Sequence, residues 1–174
     1  MWTGALHSLF FYFFKKKLYN GNAKLSLDKV VDVIRYFASS CKVTSLYKVK
    51  LMKLMWDADM RSYKKRGFGI TGLVYQVLPM GAVPVGHNSI IDLKGVPCEE
   101  VEMGEGNAYH FTLDKATAFP ALSKEDKGIL DILIEKLGKK TKNEIVSFMH
   151  NEKAYKKTKF RDVISFEYAG DLQI

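Results

Sequence analysis

The chain has 174 residues and carries 27 Lys/Arg against 19 Asp/Glu, a formal net charge of +8. That length suits one domain with a real core, and 47% hydrophobic with 26% charged residues excludes disordered, collagen-like and coiled-coil classes. Two cysteines, Cys41 and Cys98, exclude a disulfide framework and a thiolate metal site, and point to a cytoplasmic protein.

The charge is uneven. Residues 1–87 hold 14 Lys/Arg and 4 Asp/Glu, while residues 88–174 hold 13 and 15. The surplus therefore belongs to the first half, where it serves either as a solvated basic surface or as a dock for an anionic partner, nucleic acid or acidic protein. The apolar run Leu9–Phe14 followed by Lys15, Lys16 and Lys17 is too short to cross a bilayer, which takes roughly 20 residues. Its charges also follow the apolar run, the reverse of a signal peptide. We expect residues 1–23 to be an apolar-basic extension of a domain at 24–174, packing on that domain or on a partner.

After the turn at Asn20-Gly21-Asn22, Ser26 offers a helix cap, and Leu27, Val30, Val31, Ile34 and Phe37 recur at helical spacing over 27–39. A second helix is expected from Leu46 to Lys65, with Leu51, Leu54, Met55 and Ala58 on its apolar face and Gly67 as its stop. Thr71–Leu78 reads as a strand, followed by the rigid Pro79, Gly81, Pro84 stretch, in which Val83 is held extended by the proline after it. A weak short helix falls near 87–94. The Gly104-x-Gly106-Asn107 turn predicts an antiparallel pair of Val101–Met103 with Tyr109–Leu113. Ser123 with Asp126 and Thr141 with Glu144 have capping-box spacing and open two more helices. Val163–Tyr168 reads as a last strand. The expected class is α+β, a mainly helical single domain with a small antiparallel β-sheet.

No catalytic constellation emerges. Gly67-Phe-Gly69-Ile-Thr-Gly72 matches a dinucleotide-loop spacing, but it follows a helix and opens a strand, the opposite of the context such a loop needs. His7, His87, His110 and His150 lack metal spacing. Asp57 and Asp59 point away from each other on the second helix and read as solvated carboxylates or as partners of Lys53 and Arg61. A metal-dependent nuclease built on either is the enzymatic alternative. The helix pair at 123–150 resembles a helix-turn-helix, with Lys139, Lys140, Lys142 and Asn143 placed to meet DNA; helix packing is the plainer account.

Several stretches taken together resemble a known family. They are Tyr47–Asp59, Ile70-Thr71-Gly72-Leu73-Val74-Tyr75, Pro79-Met80-Gly81-Ala82-Val83-Pro84, Ser123–Asp126, Ser147–His150 and Glu152-Lys153-Ala154-Tyr155. In this order they resemble the Panacea domain, the SocA-like antitoxin or phage-associated family, over roughly residues 27–168. Residues matching its motifs are Lys53, Asp59, Thr71, Gly72, Tyr75, Pro79, Gly81, Pro84, His150 and Glu152. Ala82 stands where the family turn usually has its first proline, and Tyr155 where it often has tryptophan. The resemblance implies a non-enzymatic bacterial or phage protein without cofactor or metal. It implies neutralisation of a cognate protein toxin by direct contact, with an adaptor that delivers its toxin to a protease as one branch. Nucleic acid is a secondary partner and a membrane none. Phe10, Tyr12, Lys64, Lys65 and Arg66 are the expected toxin contacts.

Overall fold

A computed structural model describes residues 18–104, 106–114 and 118–173. His7, Phe10, Tyr12 and the run before Lys17 lie outside the described residues. The elements are α1 (Leu27–Ser39), α2 (Lys48–Arg66), β1 (Tyr75–Leu78), β2 (Gly81–Pro84), α3 (His87–Ile91), β3 (Cys98–Met103), β4 (Gly106–Phe111), α4 (Lys124–Leu137), α5 (Lys142–Asn151), α6 (Lys153–Lys157) and a 3-10 turn at Phe166–Asp171.

Local chemistry sets most of the helix ends. Ser26 accepts from Lys29 N and starts α1. Ser123 with Asp126 and Thr141 with Glu144 form full capping boxes at α4 and α5. Gly67 closes α2 in the left-handed conformation, behind Lys64, Lys65 and Arg66.

The second helix is the centre of the molecule. It packs against α1, α4, α5, β2, β4 and the 3-10 turn. The sequence suggests one apolar face. Instead Leu51, Met52, Leu54, Met55, Trp56, Ala58 and Met60 are all buried, and so are Lys50, Lys53, Asp57, Asp59 and Ser62. A helix enclosed on every side must supply partners for each polar group it takes inward. The solvated reading of Asp57 and Asp59 is therefore corrected.

The β structure is two separate two-stranded antiparallel sheets. β1 pairs with β2 from Tyr75↔Pro84 to Leu78↔Gly81. The expected strand from Thr71 begins only at Tyr75, because Thr71 and Gly72 form a turn tied to α2. β3 pairs with β4 with Val101 opposite Ala108 and Met103 opposite Gly106, so the hairpin lies closer to its turn than the spacing suggested. The proposed last strand reduces to a Gln76↔Val163 bridge, and Phe166 onward winds into the 3-10 turn. That segment still closes the outer edge of β1, with Ile164 N on Tyr75 O at 2.8 Å and Arg161 N on Val77 O at 2.9 Å.

Candidate functional site

Asp59 holds the helix-to-strand passage together. Its Oδ1 accepts from Ile70 N at 2.6 Å and Thr71 N at 2.8 Å, and its Oδ2 accepts from Tyr75 Oη at 2.6 Å and from the Thr71 hydroxyl. Asp59, Thr71 and Tyr75 are all buried. Burial pushes the Asp59 carboxyl above its ordinary range, while the Thr71, Tyr75 and Ile70 donors pull it back. Gly72 follows at φ +76°, and a Cβ there would lie 2.5 Å from the Lys24 carbonyl carbon and oxygen. The Gly67-x-Gly69-x-x-Gly72 spacing thus serves a tight reversal around a carboxylate.

Lys53 does the same for the β1–β2 turn. Its Nζ donates to Ala82 O at 3.0 Å, and burial lowers its pKa to about 7. Gly81 stands at φ +110°, where a Cβ would come 2.5 Å from Met149 Cγ and 3.0 Å from Lys53 Cε. From the other side His150 Nε2 lies 3.0 Å from Pro79 O and stacks on Tyr155, with centroids 4.5 Å apart. Tyr155 Oη reaches Leu78 O and Pro79 O, each at 3.4 Å. Glu152, buried, accepts from Gln173 N at 3.4 Å. Lys53, Gly81, His150 and Tyr155 thus fasten the β1–β2 turn between α2 and α5–α6, Asp59, Thr71, Gly72 and Tyr75 secure the passage from α2 to β1, and Glu152 ties the chain at Gln173.

Asp57 lies outside these contacts. Its Oδ1 is 3.1 Å from Arg61 Nε, an ion pair by distance with poor alignment, since neither carboxylate oxygen has a hydrogen-bond partner among the described residues. Burial, reinforced by the charge of Glu152 and opposed by Arg61, raises Asp57 to about 7. Among the described residues no group of three His, Cys, Asp or Glu could hold a metal ion. Cys41 and Cys98 are free thiols.

The expected contact residues separate in space. Lys64 and Lys65 are exposed at the end of α2. Arg66 beside them is committed inward, with Nη2 2.6 Å from Asp126 Oδ1 and 2.5 Å from Ser62 Oγ. Burial raises the Asp126 carboxyl, but Arg66, Ser123 N–H and Lys29 outweigh it and hold it below its ordinary value. Lys139, Lys142 and Asn143 are exposed and Lys140 half-buried at the α4–α5 turn.

Lys140 and Lys142 line a cleft at the opposite end of α2, about 24 Å along the helix from Lys64 at 1.5 Å per residue. The cleft has a volume of about 600 Å³ and is walled by Thr44, Ser45, Tyr47–Lys50, Met103, Asn107–Tyr109 and Lys140–Lys142. Its walls are mostly apolar, and among the described residues it contains four lysines and no carboxylate. Lys50 is turned away from solvent, donating to Thr44 O and Gly138 O at 2.6 Å each. Lys48 Nζ lies 5.1 Å from the Tyr109 ring centroid and donates to Asn88 Oδ1 at 2.6 Å. The lysine cluster around Thr141 was the one part of this cleft legible in the sequence, because its walls come from three distant segments.

The family model described as antitoxin SocA-like, Panacea domain, matches residues 51–156. The chain belongs to that family. The matched span runs from Leu51 in the buried core of α2 to Lys156 and includes every motif residue named above. Neither the curated proteins nor the solved structures provide a match to the chain. Membership in the SocA-like family carries a general antitoxin-like, non-catalytic role and implies a cognate toxin as partner. Among the described residues no helix is long and apolar enough to cross a membrane.

Proposed function

We propose that this protein neutralises a cognate protein toxin by direct contact, covering the toxin's active or target-binding surface. The observation that carries the reading is the SocA-like Panacea match across the folded centre of the chain. The burial of the motif residues supports it indirectly. Lys53, Asp59, Thr71, Tyr75 and Glu152 are used up in internal bonds, so contact with a partner falls to the exposed surface around them. Lys64, Lys65 and Arg66 at the end of α2 remain toxin-contact proposals, as do Phe10 and Tyr12 outside the described residues, while Lys139, Lys140, Lys142 and Asn143 at the α4–α5 turn are the expected DNA contacts.

The test is co-expression with the product of the adjacent gene. Growth inhibition by that product should be relieved by this protein, and the two should co-purify. An unchanged toxin level indicates occlusion, whereas a level that falls only in the presence of an intact cellular protease indicates an adaptor. If the neighbour is not toxic, or is toxic and neither relieved nor retained at micromolar concentration, the reading fails.

A further inference from the structure

We propose that the lysine-rimmed cleft at the start of α2 is the seat for a short segment of the partner protein in which apolar side chains are flanked by carboxylates. The inference rests on the toxin-binding reading for the kind of partner, and on the cleft itself for the chemistry.

The cavity of about 600 Å³ falls in the range of sites that enclose a ligand, roughly 300–1,000 Å³. Tyr47, Val49, Met103, Ala108 and Tyr109 supply an apolar wall, and Met103 is 52% exposed although it lies beside them. A long apolar side chain left open within an apolar hollow gains by being covered. Among the described residues the rim charge has one sign: Lys48, Lys140 and Lys142 line it and no Asp or Glu does. Among the described residues neither Lys140 nor Lys142 is ion-paired; Glu144, one turn on, keeps its carboxylate on Thr141 N and Oγ1 at 2.8 Å each. An apolar anchor within a ring of like charge calls for an apolar residue between acidic ones, the anchor supplying the affinity and the rim the encounter rate and selectivity.

A nucleic-acid strand fits the same place less well. The lysine patch is small and its borders are acidic: Glu99, Glu100 and Glu102 are exposed on β3, which leads into Met103, and Glu144 is exposed on α5. A phosphate backbone running beyond the cleft meets these carboxylates, while a segment of a few residues ends before them.

The test uses the full-length protein labelled for amide NMR and an acetylated hexapeptide probe, Asp-Glu-Leu-Phe-Glu-Asp, with Lys-Lys-Leu-Phe-Lys-Lys as its charge-reversed control. The acidic peptide should shift the amides of Tyr47, Ala108, Tyr109, Lys140 and Lys142 as one group. The double variant Lys140→Glu, Lys142→Glu should weaken it by about tenfold with an unchanged thermal midpoint, since a Glu in the first turn of α5 suits the helix dipole. The inference is overturned if the acidic peptide shifts nothing at millimolar concentration, if the basic control binds equally, or if a single-stranded oligonucleotide binds the same amides more tightly than the peptide. The adjacent-gene product gives a separate reading. If it binds the wild type and the double variant alike, the cleft assignment fails and the toxin-binding reading stands. If it binds neither, that reading fails and the peptide titration still decides the chemistry of the cleft.

Discussion

Two lysine-bearing stretches at the front half of α2 make the most instructive contrast. Lys53 is buried, its ammonium spent on the Ala82 carbonyl and its pKa lowered to about 7 by desolvation. Five residues earlier, Lys48 is half-buried at the rim of a cleft shared with Lys140 and Lys142, which no carboxylate lines among the described residues. Both are lysines on one helix within a +8 chain, yet one opposes burial to fasten a turn and the other contributes to a charged surface. Net charge and motif membership therefore do not locate the interacting surface. What matters is whether a charge already has a partner inside the fold.

The sharpest way to break the contrast is at Asp59. Asp59→Ala leaves two buried amides and two buried hydroxyls without their acceptor, and should cost more than about 3 kcal/mol by urea unfolding. Asp59→Asn, which keeps one carbonyl acceptor, should lose less. A thermal midpoint for Asp59→Ala equal to wild type would mean that the motif does not secure the fold. Next come Gly72→Ala and Gly81→Ala, each forcing a Cβ into positive φ and to within 2.5 Å of a neighbour, and each expected to destabilise by about 1–3 kcal/mol. Gly72 should show the larger loss, because its neighbour is the Lys24 backbone and not a movable methionine.

The buried Asp57 gives a pH test of intermediate size. Its folded pKa of about 7 stands above the ordinary 3.8, so the native state binds the proton more tightly than the unfolded chain. Its destabilising contribution is absent below about pH 4, grows as pH rises, and is complete above about pH 7. Wild type should therefore lose stability relative to Asp57→Asn between about pH 4 and about pH 7, no faster than about 1.4 kcal/mol per pH unit, and the two curves should run parallel above that. Curves parallel over the whole range would show that the Arg61 ion pair offsets burial fully. The smallest effect on stability belongs to Lys140→Glu with Lys142→Glu, expected to lie within about 0.5 kcal/mol of wild type. The same pair should carry the largest effect on partner affinity.

Much of the helical framework was legible because its signals are local. Ser123 with Asp126 and Thr141 with Glu144 close their hydrogen bonds within three residues, and the stripe from Val30 to Phe37 repeats with the helix itself. The order of the motif stretches likewise disclosed the family. Less legible was which polar residues go inside. Asp57 and Asp59 are alike in type and read as solvated or paired with Lys53 and Arg61; the Asp57–Arg61 pair is present, but only the enclosure of α2 by its surrounding elements buries both carboxylates and gives Asp59 its four donors. Arg66, expected at the interface, is also held by Asp126, 60 positions away, which the sequence could not show.

Local signals along the chain thus sufficed for the four long helices, most of their caps, the α+β class and the family, since each depends on sequence neighbours or on motif order, but not for the helix at Lys153–Lys157 or the 3-10 turn at Phe166–Asp171. Tertiary structure alone decided that the signature residues form an internal fastening, and that Tyr47, Met103, Tyr109 and Lys142 line one cleft. Burial and electrostatic partnership are set by residues distant in sequence, and the free energy of a charged group depends on those surroundings far more than on its place in the chain.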